Sequence, residues 1–300
     1  MPSWSEWVVA PVLARAVIQA AAPLYLAVLA ALLCQRAGLV NLGLEGIMLA
    51  GACAGAAVGA GLGPAAGMAL GVVAGTGLAL LHALATVRFR VGQLVSGLAV
   101  NVLAFGVAGF LGVASFGPDS RSPGLEHLPT VAVPWLGPLS PLAPLALLLG
   151  LAILAELRLG VAGLRLDAAA EAPQAAARAG LRPDRLRYGV LLASGALAGL
   201  AGAGLPIEVV GHYRPGITQG RGFLALAVCL VVNRSVLGGA AAALLLAGLQ
   251  VLPGFLPAGQ APGVLVAAPW LVTLVALALV ARPERLPRTA VETWRAGAPP

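Results

Sequence analysis

Apolar runs of about twenty residues, separated by short segments that collect most of the arginines, organise this chain from end to end. Whole helical turns inside the runs are apolar. Strands of a membrane barrel would instead alternate every second residue over short stretches. Against the spanning-helix template, the runs predict segments at about 12–34 (interrupted by Pro23), 42–61, 65–87 and 95–113. A proline-rich, amphipathic connection over 117–141 contains Trp135. Further segments follow at about 142–157, 188–205, 223–232, 237–252 and 264–280. The expectation is an all-α polytopic transmembrane helical bundle of about 8–10 spans, nine favoured, forming one domain over residues 1–300.

Arginine placement orients the bundle. Arg158, Arg165, Arg178, Arg182, Arg185 and Arg187 crowd a loop at about 158–187, and Arg282, Arg285, Arg288 and Arg295 crowd a tail at about 282–300. The positive-inside rule puts both in the cytoplasm, with Arg36, Arg88 and Arg90. Nine crossings then leave the N-terminus and the proline-rich loop outside. The N-terminal segment lacks a basic leader and an A-x-A cleavage site placed after a short apolar core, so no removable signal peptide is expected.

Composition agrees with a membrane protein: 60% of the 300 residues are hydrophobic and 10% charged, where a soluble domain carries about 25% charged residues. The net charge of +7 comes without a single lysine and sits between apolar runs, so it points to lipid and topology, not to nucleic acid. Cys34, Cys53 and Cys229 fall in or beside apolar stretches and read as small buried hydrophobes. Neither a disulfide framework, a metal site nor a cofactor is expected.

Gly51, Gly55 and Gly59 recur every fourth residue, as do Gly67, Gly71 and Gly75, and Gly195, Gly199 and Ala203. Each series makes a flat helix face that allows close backbone approach.

The polar residues within the runs are the candidate chemistry. Arg36-Ala-Gly-Leu-Val-Asn41-Leu-Gly-Leu-Glu45-Gly46 places Arg, Asn and Glu at the mouth of a glycine-studded apolar segment. A Glu at the centre of a lipid-facing helix costs roughly 2.5–3.5 kcal/mol, so this segment faces protein or water, or starts at the interface. Asn41 can N-cap the second helix and Glu45 suits its positive end; equally, both could line a path or gate. Gln93 and Ser96 lie one turn apart with Asn101 rotated off their face, able to bridge helices or to line a polar cavity. Gly220-Arg221-Gly222 precedes a short apolar helix, where backbone N–H groups and a guanidinium could face a polar or anionic ligand or anchor at the interface. His82, on an apolar helix, reads as a hydrogen-bonded packing residue. Glu208, His212 and Arg214 are expected to face outside.

In the arginine-rich loop, Gly163-Leu-Arg165-Leu-Asp167-Ala-Ala-Ala-Glu171-Ala-Pro173-Gln-Ala-Ala176-Ala-Arg178-Ala-Gly180 centres on strong helix formers. Pro173 suits a first turn and Gly180 a C-terminal cap. This loop resembles the coupling segment of ABC importer permeases. The stretches around Arg36–Leu49, Gln93–Asn101, Leu191–Ala203 and Gly220–Ala227 resemble the permeases of nucleoside and simple-sugar importers, a branch related to ribose and branched-chain amino acid systems. The resemblance covers about 23–274. Asp167 stands where that family usually has a basic residue, Ala170 where it has Gly, and Val232-Asn-Arg-Ser-Val236 where it tends to Gly, an aromatic and Pro.

The resemblance implies the ABC importer permease fold and a subunit without a hydrolytic site. A separate ABC ATPase would engage Glu171, Pro173, Ala176, Arg178 and Gly180. A second, longer permease would complete a heterodimer, and an extracytoplasmic binding protein would deliver the solute. Asn41, Glu45, Gln93, Ser96, Asn101, Gly220, Arg221 and Gly222 would form the path or gate for a nucleoside, with a simple sugar next, across a bacterial cytoplasmic membrane. The chain itself has no lysine for a Gly-x-x-x-x-Gly-Lys phosphate loop. Two other classes stay in view. An ion-gradient transporter would need titratable groups at mid-membrane, but Asp119, Asp167 and Asp184 all fall in loops. A membrane enzyme would need clustered His, Asp, Glu or Cys, and the three His are scattered.

Overall fold

A computed structural model describes residues 4–256 and 263–280. Its helices are α1 (Trp4–Arg36), α2 (Leu44–Leu62), α3 (Pro64–Ala83, widened into a π turn over Leu84–Arg88), α4 (Gln93–Phe116) and α5 (Leu142–Leu159). Two short helices follow, α6 (Val161–Glu171) and α7 (Pro173–Arg178). Then come α8 (Pro183–Gly204, with a π turn over Leu205–Val209), α9 (Arg221–Val232), α10 (Val236–Val251) and α11 (Gly263–Val280). α1 runs unbroken through Pro11 and Pro23, so the interruption expected at Pro23 does not occur. A proline deletes one backbone hydrogen bond, and a helix enclosed by neighbours tolerates that.

Seven helices among the described residues are long and apolar enough to cross a membrane: Ala10–Arg36, Leu44–Leu62, Pro64–Arg88, Gln93–Phe116, Leu142–Leu159, Pro183–Val209 and Val236–Phe255. The nine-span expectation is therefore corrected to seven, and the crossing count that set the N-terminus outside falls with it. The two segments removed are Arg221–Val232 and Ala267–Leu279, which are apolar but shorter. Twelve residues of α9 reach about 18 Å at roughly 1.5 Å per residue, against a hydrocarbon core of about 30 Å. α9 is bounded on both sides by left-handed residues, Gly220 (φ 74°) and Asn233 (φ 48°). The arginine-rich tail over 282–300 lies outside the described residues.

The three small-residue stripes meet one another. A Cβ on Gly75 would lie 2.5 Å from the Gly195 carbonyl oxygen and 2.6 Å from Gly199 Cα, and one on Gly67 would lie 2.5 Å from the Gly55 carbonyl oxygen. α2, α3 and α8 thus pack backbone to backbone, with Met48, Ala52, Ala198 and Ala201 buried among them. α1 passes through the centre, and Leu24 through Leu29 are buried, most of them completely. On the outer helices one face stays open: Leu94, Val102, Phe105 and Phe110 of α4 are exposed, as a lipid- or partner-facing surface requires. A paired substitution tests the inner packing. Gly75→Ala is expected to destabilise the purified protein by about 1–3 kcal/mol through overpacking. Gly77→Ala, on the same helix with nothing within 4 Å of the added Cβ, should be neutral or slightly stabilising. Thermal unfolding in detergent compares the two.

The proline-rich connection folds into a hairpin, β1 (Val131–Val133) antiparallel to β2 (Gly137–Leu139), with Val131 opposite Leu139. Trp135 at its tip is 95% exposed. Glu208 is buried and holds this loop: Oε1 accepts from the Leu128 N–H at 2.8 Å, and Oε2 accepts from the Ser140 hydroxyl. Ser122 and Tyr213 add a reciprocal pair of hydrogen bonds at 2.8 and 3.1 Å.

Candidate functional site

Residues 37–43 are irregular yet largely buried, with Asn41 completely enclosed. Their backbone groups must be satisfied inside the protein, and α4 supplies much of what they need. Gln93 Oε1 accepts from the Val40 N–H at 2.7 Å. Asn101 donates from Nδ2 to the Leu42 carbonyl at 2.9 Å, and its Oδ1 accepts from the Gly46 N–H at 2.8 Å. The first turn of α2 is therefore capped from α4 by Asn101. Asn41 is not its N-cap, a position held by Gly43. Asn41 Oδ1 accepts from the Gly43 N–H at 3.1 Å, and its Nδ2 donates to Ser194 Oγ on α8 at 3.4 Å. Ser96 turns to His82, 2.9 Å from Nδ1, and both are buried. Asn41, Gln93 and Asn101 thus gather around one buried loop, with Ser96 nearby on α4.

Where that loop ends, Glu45 begins a second arrangement. Its carboxylate lies at the N-terminus of α9 as well as in the first turn of α2. Oε1 accepts from Thr218 Oγ1 at 2.6 Å and from the Gly220 N–H at 2.8 Å, and Oε2 accepts from the Gly222 N–H at 2.7 Å. The two N-termini are in contact: a Cβ on Gly222 would lie 2.5 Å from the Glu45 nitrogen. Both partial positive ends favour a carboxylate between them. The far end of α9 is at the arginine-rich face, where Arg234 Nη1 lies 3.8 Å from Asp167 Oδ1 and Arg36 Nη1 lies 3.3 Å from Asp167 Oδ2. The α9 N-terminus is therefore separated from that face by the length of the helix, about 18 Å.

Arg221 takes its hydrogen-bond partners elsewhere than the carboxylate. Its Nε and Nη2 donate to Gln250 Oε1 at 3.2 and 2.9 Å, and Nη1 donates to the Ile217 carbonyl at 3.3 Å. Beside it opens a cavity of about 500 Å³ lined by Gln219, Arg221, Gln250 and Trp270, closed by Leu249, Pro253 and Pro269. Gly220 is needed here twice over. Its φ is +74°, and a Cβ would meet the Trp270 ring at 2.8 Å. Thr218, Gln219, Gln250 and Trp270 were not visible as site residues in the sequence. Gln250 alone carried a signal, a lone amide in an otherwise apolar run.

At the arginine-rich face, the expected single docking helix is two. Glu171 ends α6, Pro173 opens α7, Arg178 closes it, and Gly180 follows in a left-handed conformation (φ 88°). Glu171, Arg178 and Gly180 are exposed, whereas Ala176 is buried. Ala170 packs on Gly38, whose added Cβ would lie 3.2 Å from Ala170 Cα. The pair α6–α7 therefore touches the same loop that leads to Glu45. Among the described residues, no group of three or more His, Cys, Asp or Glu could hold a metal ion.

The family model described as the permease component of the branched-chain amino acid transport system matches residues 13–281. The chain is 30% identical over 280 residues to the guanosine ABC transporter permease protein of Bacillus subtilis (strain 168), covering 86% of this chain and 88% of that protein. It is 33% identical over 228 residues to a putative glucose ABC transporter permease protein of Haloferax volcanii, covering 72% and 69% of the two chains. A nucleoside ABC transporter permease protein of Lactococcus lactis subsp. cremoris is 28% identical over 269 residues, covering 82% and 84%. No solved structure matches the chain.

Proposed function

Since the chain belongs to the permease components of the branched-chain amino acid transport system family, and is thus a multi-pass, non-catalytic transport subunit of the ABC-importer class, we propose that its solute is a nucleoside or a closely related uncharged molecule. The observation that carries this is the position of Glu45. Meeting helix N-termini inside a membrane bundle attract an anion, and here the protein's own carboxylate fills that position with three hydrogen bonds. A solute passing beside Arg221 meets amides, an indole and a guanidinium whose charge the nearby Glu45 offsets in part. Such a lining suits a neutral polar solute better than an amino acid or a phosphate. Two of the relatives carry guanosine or nucleoside in their names and one carries glucose, which supports the same preference.

In this proposal an ATPase engages the exposed surface of α6–α7, including Glu171, Arg178 and Gly180. A second permease, longer than this chain, completes the path. A binding protein delivers solute to the face bearing the hairpin, and the arginine-rich face lies in the cytoplasm. ATP binding would bias alternate packings of the bundle through the contact of Ala170 with the loop over 37–43. Gradient-driven transport would instead have to work through Glu45, whose two oxygens already accept three hydrogen bonds. Uptake of labelled guanosine, glucose and leucine by cells with and without the gene tests the proposal, with ATP depletion and an uncoupler applied separately. Loss of ATP-dependent guanosine uptake on deletion is expected. Loss of glucose or leucine uptake alone would replace the solute, and uptake abolished by the uncoupler at normal ATP would replace the mechanism.

A further inference from the structure

We infer that the cavity beside Arg221 reads the heterocycle of its solute, and selects rings that present hydrogen-bond-accepting oxo edges. This rests on the nucleoside reading and adds which part of the molecule is recognised and with what preference. Arg221 has five N–H groups and no acceptor. Three of these are engaged with Gln250 and Ile217, leaving two. Because Arg221 can only donate, the Gln250 oxygen must face it. The two N–H groups of Gln250 are then left without a partner among the described residues. The Gln219 side chain, exposed and lining the same cavity, likewise has no partner there, and its amide adds two donors and one acceptor.

The lining therefore offers a surplus of donors. A guanine or hypoxanthine edge answers with O6 and N7, and a uracil edge with O4. Adenine and cytosine place an amino donor at the corresponding position, and against Arg221 and Gln250 it would meet donors left unpaired. Trp270 supplies a flat apolar wall on which any of these rings can stack, and the close fit of its ring on Gly220 holds that wall in place. Charge selects too. Glu45 binds the backbone N–H groups on both sides of Arg221, so its carboxylate offsets part of the guanidinium charge and lessens the pull on anionic rings. At about 500 Å³ the space is within the range of small-molecule sites and takes a whole nucleoside, base inward.

The test is equilibrium binding of tritiated inosine to the assembled transporter in nanodiscs without its binding protein, so that this subunit's selectivity is not masked. Guanosine and uridine are expected to compete like inosine, adenosine and cytidine about tenfold more weakly, and ribose not at all. Trp270→Ala should weaken inosine about tenfold. Gln219→Glu, at an exposed and unpartnered position, should narrow the gap between inosine and adenosine by replacing the amide donors with a second acceptor oxygen. Equal competition by adenosine and inosine overturns the edge preference. Unchanged inosine affinity in Trp270→Ala removes the cavity as the site. Nucleoside uptake by the same preparation with its binding protein separates the two levels: transport that persists while these binding results fail leaves the function standing and rejects this inference, whereas absence of nucleoside transport rejects both.

Discussion

Replacing Glu45 with alanine is expected to lower folded stability by several kcal/mol and to abolish transport. The substitution strands three donors at once: the Thr218 hydroxyl and the N–H groups of Gly220 and Gly222. Glu45 and Thr218 are both buried, at 2% and 1% exposure, so water does not readily replace the lost acceptor. Each buried donor left unsatisfied costs roughly 1–3 kcal/mol. The loss also removes the negative charge between two helix ends, a term of about 0.3–2 kcal/mol. Neighbouring residues cannot close the gap, because Gly222 is already in contact with the α2 backbone.

Glu45→Gln sharpens the test. Glutamine keeps one oxygen, which can still accept from Thr218 and Gly220. Its amide N–H groups would then face the Gly222 N–H, donor against donor. The expected order of melting temperature in detergent is wild type, then Gln, then Ala, with uptake following the same order. Preserved melting in Glu45→Gln together with lost uptake would show instead that the carboxylate acts on the solute or on gating.

How much of this was legible beforehand follows from the range of the interactions. Apolar runs encode the long helices locally, and the sequence placed all seven within a few residues, apart from Pro23, whose tolerance depends on the helices packed around α1. The glycine stripes encoded close packing, although not which stripe faced which. The extent of α9 was legible, at about 223–232 against Arg221–Val232, but what starts it was not. Its start depends on a left-handed glycine and a carboxylate supplied from 177 positions away, and hydropathy records neither. The same range hid the roles of Asn101 and Glu45, because each caps a helix other than its own.

Asp167 and Arg234 make the point from the other direction. In the sequence they are two unrelated departures from the resembling family, one in the arginine-rich loop and one in the turn after α9. In the structure they face each other at 3.8 Å, with Arg36 on the other oxygen of Asp167 at 3.3 Å. The acidic residue thus sits where two arginines from α1 and the end of α9 converge. Being about a third exposed, these pairs add little stability. Their consequence is positional: they register α6 on the two elements that lead to Glu45.

Gly180→Trp is expected to abolish association with the ATPase while leaving membrane insertion intact. Gly180 follows α7 at φ 88°, and its N–H donates to the Ala177 carbonyl at 3.0 Å, while the Leu181 N–H closes on Ala176 at 3.0 Å. That is a left-handed helix ending which glycine adopts without strain. Nothing lies within 4 Å of an added Cβ, so an indole there would project from the surface instead of into the bundle. The backbone penalty of roughly 1–2 kcal/mol falls on an exposed six-residue helix, remote from the packing of α2, α3 and α8. Gly180→Ala carries the same backbone penalty without the bulk and serves as the control. If α7 and Gly180 are the docking surface, the Trp variant should insert normally and lose the ATPase on co-purification by more than tenfold, while the Ala variant retains most of it. Equal loss in both would assign the effect to the turn geometry. Normal assembly in Gly180→Trp would move the docking surface off this helix, leaving the exposed part of α6 around Glu171 as the place to look.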